Sequence, residues 1–185
     1  MRLSLRFFHA RRWRLLAPAG LLALAGCTSL LQKEPPPACP AVNVLAEAAT
    51  LDRFSPGGGR DIIDKVFSAR VEPAAIKCKY VDDRAALEAE LTVAVALEKG
   101  PAPMRMPQSV PYFVAILDKD RNILAKEVFE IPVTFPEGRR RNVLGDVIEQ
   151  RIPLSSPDAV GDYRIVLGFQ LTRAELEARR QKQQR

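Results

Sequence analysis

The stretch ALEAELTVAVALE, residues 86–98, decides the fold. Its Ala, Leu and Glu content favours helix. Its period does not: every odd position from Ala85 to Leu97 is apolar, while Glu88, Glu90, Thr92 and Glu98 fall on even positions. Successive strand side chains point to opposite faces, so this alternation predicts a strand with one buried face. The β-branched centre around Thr92, Val93 and Val95 agrees.

The same period returns outward from that stretch. In YRIVLGFQL, residues 163–171, Tyr163, Ile165, Leu167, Phe169 and Leu171 share a face. VPYFVAILD, residues 110–118, is apolar on both faces and suits a central strand. NILAKEVFEIPVTF, residues 122–135, follows after a short polar turn, so the pair reads as a hairpin. Further strands are expected at 42–52, 61–71, 74–81 and 142–152. In the last of these Val143, Val147 and Ile148 also fit a helical period. Pro132 and Pro153 point to edges or bulges, because proline cannot donate to a ladder. Seven or eight strands in one domain, residues 39–171, predict an all-β antiparallel sandwich of immunoglobulin- or fibronectin-like type, with a small barrel as the alternative. Beyond it, Thr172 and Glu175 fit a capping box and open a short C-terminal helix and tail, 172–185.

The N-terminus has a different character. Arg2, Arg6, Arg11, Arg12 and Arg14 precede a short apolar run, 15–26, interrupted by Pro18 and Gly20. A basic segment followed by a short apolar one is the pattern of an export signal. The run is also shorter than the roughly 20 residues that span a bilayer. Leu24-Ala25-Gly26-Cys27 then brings small residues directly to a thiol. This resembles the lipobox of bacterial lipoproteins, and the resemblance implies cleavage after residue 26 and acylation of Cys27. The context around Arg11 and Arg12 departs from a twin-arginine signal, which favours the general secretory route. Thr28 stands where the family's inner-membrane proteins carry Asp, so the resemblance implies an outer-membrane address, facing the periplasm. Residues 27–38 include Pro35-Pro36-Pro37 and read as a stiff tether; its eleven residues after the anchor reach about 35 Å as polyproline II.

CPAVNVLAEAATLDRF (39–54), YFVAILDKDRNILAKEVFEIPVTFP (112–136) and the C-terminal IPL (152–154) with DYRIVLGFQLTRAEL (162–176) are also similar to a set of Gram-negative lipoproteins without an assigned activity. That similarity implies a compartment and a single exported domain, and no chemistry. Two cysteines then remain, Cys39 and Cys78. An even number in an exported domain predicts one disulfide between them. Neither has a second Cys or a His at metal-ligand spacing, so no metal site is expected.

Charge and residue inventory narrow the function. The chain holds 28 Lys plus Arg against 22 Asp plus Glu, but five arginines and no acid lie in residues 1–26. The remainder is nearly neutral, which removes the main support for a nucleic-acid partner. The single histidine, His9, falls in the same leader. The exported part therefore has no imidazole, and Ser-His-Asp and Cys-His mechanisms are excluded. DKDRN, residues 118–122, begins like a calcium loop, but Ile123 stands where the sharp turn needs Gly and Phe129 where the bidentate Glu belongs. A hairpin turn accounts for it. SPGGGRD, 55–61, lacks the Lys-Ser/Thr ending of a phosphate loop and reads as a connection. GRRR, 138–141, reads as a solvated turn.

The expectation is a noncatalytic lipid-anchored envelope protein, without a cofactor, that engages another envelope protein. The alternative is a carrier or sensor for a small or lipidic ligand of unknown identity. Candidate contacts are Met104 and Met106 in a proline-rich loop, and Arg179, Arg180 and Lys182 in the basic tail.

Overall fold

The computed structural model describes residues 38–183, with side chains as far as Gln181. Cys27 and the lipobox-like residues before it lie outside the described residues, as does the side chain of Lys182. Among the described residues no helix is long and apolar enough to cross a membrane.

Residues 86–98 lie within β5, Ala86–Lys99, the strand on which one sheet is built. Leu87, Ala89, Leu91, Val93, Val95 and Leu97 are buried, as the odd-position stripe predicts. Full burial of a Leu or Val side chain is worth about 1.5–3 kcal/mol, so this stripe anchors the fold. β8, Arg141–Pro153, runs antiparallel along β5 from Glu98↔Arg141 to Ala86↔Pro153. That continuous pairing resolves the helix-or-strand ambiguity of 142–152.

The other edge of β5 takes two strands end to end. β3, Lys65–Val71, pairs to Val71↔Val95, and β4, Ala75–Val81, resumes at Ala75↔Thr92. Three residues, 72–74, thus face two on β5, which is a one-residue bulge, and Pro73 sits in it, where its missing N–H does no harm. β2, Thr50–Phe54, adds to β3 and completes a five-stranded sheet. The β4–β5 turn carries three consecutive left-handed residues, Asp82 (φ 53°), Asp83 (50°) and Arg84 (70°). It is closed by the Ala85 N–H on the Asp82 carbonyl, 2.9 Å, and Arg84 stacks over the Tyr80 ring at 5.1 Å.

The second sheet has the order β1-β9-β6-β7. β6, Ser109–Leu117, and β7, Ile123–Pro132, form the expected hairpin, and β9, Arg164–Phe169, lies on the other side of β6. The segment 42–52 does not form one strand. β1, Ala41–Val44, pairs parallel with β9, and a 3-10 turn at Ala46–Ala48 then carries the chain to β2 in the opposite sheet. Ala48 packs so tightly on Gly168 that a Cβ there would lie 2.7 Å from it, so glycine is needed at 168. The described chain is therefore a sandwich of nine strands rather than seven or eight, antiparallel except at β1–β9, and its sheets do not close into a barrel. Tyr112, Phe67 and Phe169 are the largest side chains that fill the space between the sheets.

The start of the segment 61–71 also differs from expectation. Ile62–Asp64 is a turn of 3-10 helix, and the strand begins only at Lys65. Pro132 and Pro153 close β7 and β8, both sheet-edge strands.

Candidate functional site

One flank of the sandwich is sealed. Cys39, just before β1, is bonded to Cys78 on β4 with Cα atoms 5.6 Å apart, so the disulfide expected from the cysteine count ties one sheet to the other. Helix α1, Arg173–Gln183, begins at the predicted capping box: Thr172 donates through its N–H and hydroxyl to Glu175 Oε2, both at 2.8 Å, and the Glu175 N–H returns to Thr172 Oγ1. Glu175 also pairs with Arg53 of β2. Burial pulls the Glu175 carboxyl upward, but the Thr172 hydrogen bonds and Arg53 outweigh it and hold its pKa below the ordinary value. Arg179 donates to the Glu47 and Thr50 carbonyls. Of the basic tail residues, Arg179 is thus a clamp that seats the helix, while Arg180 is exposed.

Between α1, β2 and the glycine loop lies a surface cleft of about 740 Å³, with Leu51, Phe54 and Leu171 as apolar lining and Arg60 at its margin.

The opposite flank is open. β7 and β8 end their sheets side by side, and side chains rather than a backbone ladder join them. The Gln150 amide reaches Glu127 at 3.4 Å, and Asn142 Nδ2 donates to the Thr134 carbonyl at 2.8 Å. Tyr112 on β6 donates its hydroxyl to Asp146 of β8 at 2.7 Å. Burial, and then Asp146, push the Tyr112 phenol far above its ordinary pKa, so it stays a neutral donor. Two outward amides of β8 are already occupied, Val143 by Asn142 Oδ1 and Val147 by Asp146 Oδ1. β7 has no such side-chain caps among the described residues. On it Leu124 and Val128 are 54% and 53% exposed, on the face that also carries Phe113 and Lys126, whose ammonium sits 4.6 Å above the Phe113 ring.

A third region is the end of the sandwich where loops 55–64, 100–108 and 133–140 meet. The Gly100 N–H binds the Val66 carbonyl at 2.8 Å and the Lys99 N–H binds the Arg140 carbonyl at 2.8 Å, which draws the three together. A Cβ at Gly100 would lie 2.0 Å from the Lys65 carbonyl oxygen, so only glycine permits this approach. The structure splits the two loop methionines: Met104 packs against the core, whereas Met106 is 60% exposed. On the loop 55–64 Ile62 and Ile63 are 72% and 70% exposed. The expectation of a strand over 61–71 hid this pair. The available signal was their adjacency, since two consecutive apolar residues after a glycine-rich loop break strand alternation.

The residues of DKDRN form the expected turn. The Asn122 N–H and side-chain amide hold the two Asp118 carboxylate oxygens, each at 2.8 Å, and lower the Asp118 pKa. Among the described residues no group of three or more His, Cys, Asp or Glu side chains is placed to hold a metal ion. Known protein families, curated proteins and solved structures offer no match to this chain.

Proposed function

We propose that the chain is a noncatalytic, lipid-anchored envelope protein of the outer membrane, facing the periplasm, that works by engaging another envelope protein. The observation that carries this reading is β7: a ten-residue edge strand whose outer face bears Leu124 and Val128 in water. Long exposed edges template pairing with another chain, and natural proteins usually cover or shorten them. An added partner strand would gain main-chain hydrogen bonds along β7 and specificity from side chains laid over Leu124, Val128 and Phe113. Lys126 and Glu127 in the middle of the strand disfavour indiscriminate association and bias the edge towards a partner with matching charges. Anchoring rests on the resemblance at Leu24–Cys27 and on the proline-rich tether.

A photoreactive side chain at position 124, set against one at Asn43 on the short β1 edge, tests the reading in native envelopes. Discrete crosslinked protein from 124 and none from 43 is the expected outcome. Recovery of a copurified amphiphile in the α1 cleft, with no crosslinked protein, would replace it with the carrier reading. Cys27→Ser is expected to abolish acylation and leader cleavage, as read by mass spectrometry of the purified chain.

A further inference from the structure

The two ends of the sandwich are unlike. Residue 41 is level with Arg164 and, through β9, with Leu117, so β1 begins at the end that holds the turns 82–85 and 118–122, called here the tether end. The loops 55–64, 100–108 and 133–140 lie at the other end, beyond the length of β5, 14 residues or about 45 Å. The turns at the tether end, together with 154–163, carry Asp82, Asp83, Asp118, Asp120, Asp158 and Asp162 against three cations.

The far rim combines apolar protrusions with cations. Ile62 and Ile63 form a 3-10 turn in which neither side chain is covered, and Met106 stands out from the neighbouring loop. Arg60, Arg105 and Arg139 are exposed and have no carboxylate partner among the described residues, and Arg140 donates only to the Lys99 carbonyl. Elsewhere Arg53, Lys65, Arg70, Lys79 and Arg151 are each matched to a carboxylate, while Arg121, Arg164, Arg173 and Arg180 are exposed and have none among the described residues. The rim's acids are Asp61, Asp64 and Glu137 against the four arginines, and Asp64 is turned against the backbone of Gly58 and Gly59.

We infer that this rim is a docking surface for an anionic lipid bilayer. The apolar tips project, and a soft interface accepts a projecting side chain where a folded protein would need a complementary hollow. Ile62, Ile63 and Met106 enter the headgroup boundary, and Arg60, Arg105 and Arg139 remain at the level of the phosphates, where attraction to anionic lipid is strong within a Debye length. The rim lies at the end of the sandwich opposite residue 41 and apart from β7. A domain held at one end by lipid and touching a bilayer with the other would span the distance between two surfaces.

The test uses the full chain with Trp13→Phe and Ile63→Trp, mixed with vesicles of brominated phosphatidylglycerol or brominated phosphatidylcholine. Ile123→Trp serves as the control, since Ile123 is 63% exposed at the tether end. The indole at 63 is expected to be quenched and blue-shifted by the anionic vesicles and not by the zwitterionic ones, while that at 123 stays in water. Arg105→Gln with Arg139→Gln lowers the quenching of the indole at 63 about tenfold or more, and added salt does the same. An indole at 63 that remains solvated with anionic vesicles, or is quenched equally by both lipids, overturns the proposal. Shielding of that indole only by envelope protein, in the absence of vesicles, overturns it in favour of a protein surface.

Discussion

The two flanks of the sandwich solve the same problem in opposite ways. At one, β1 is only four residues long, the Cys39–Cys78 bridge joins the sheets, and α1 is clamped over β2 by Arg53, Glu175 and Arg179. At the other, β7 and β8 have ten and thirteen residues and meet through a few polar side chains. Edge strands are a liability unless covered, so this fold seals one side covalently and leaves the other accessible.

The largest test of that contrast is removal of the bridge. Cys39→Ala with Cys78→Ala opens a loop of 39-residue separation, and denaturant unfolding should show a loss of about 4 kcal/mol on the chain-entropy account. Hydrogen exchange at β1 and β4 should then approach that of β7. Unchanged exchange there would mean that helix and core packing, and not the bridge, hold this flank. On the open flank Tyr112→Phe removes the hydroxyl that links β6 to Asp146 of β8, at an expected cost of about 1–3 kcal/mol in the same measurement.

A smaller effect is expected at the helix. Glu175→Ala ends the capping box and the pair with Arg53, and should cost about 1 kcal/mol while the sheets stay intact. Acid should act in the same direction. Because the folded-state pKa of Glu175 is depressed, its contribution is full above the unfolded value and is lost as the pH falls through the folded one, below the usual carboxylate range. Helix undocking in that window, followed by exchange at the Thr50 and Arg53 amides, would sharpen the contrast. Val128→Lys should be the mildest change, within about 0.5 kcal/mol of wild type in thermal unfolding, because the side chain already faces water. Its crosslinking yield from position 124 should nevertheless collapse. A large loss of stability from Val128→Lys would show that the open flank is part of the core.

Much of this was legible from local pattern, and the exceptions share a cause. The stripe in 86–98 could be read because strand side chains alternate and one face of β5 is buried throughout. The capping box was legible because Thr172 and Glu175 bond across three residues of one chain segment. The segment 42–52 misled because a continuous apolar pattern does not say which sheet each half joins; the close contact of Ala48 with Gly168 decides that. Val143 and Val147 fit helix or strand equally, and the neighbouring β5, far away in sequence, settles the matter. At the candidate contacts the same limit applies. Arg179 was a plausible solvated cation until two carbonyls, more than a hundred residues away in sequence, were found beneath it.

By itself the sequence determined the β class, the pairing of Cys39 with Cys78 and the helix start. Each follows from residue type, count or short-range period. The tertiary structure alone decided that β1 runs parallel to β9, that β3 and β4 share one edge of β5 across the bulge at Pro73, and that Ile62, Ile63 and Met106 emerge at one rim. Those features depend on which distant segments compete successfully for the same backbone groups and the same buried volume, and no local period records the outcome of that competition.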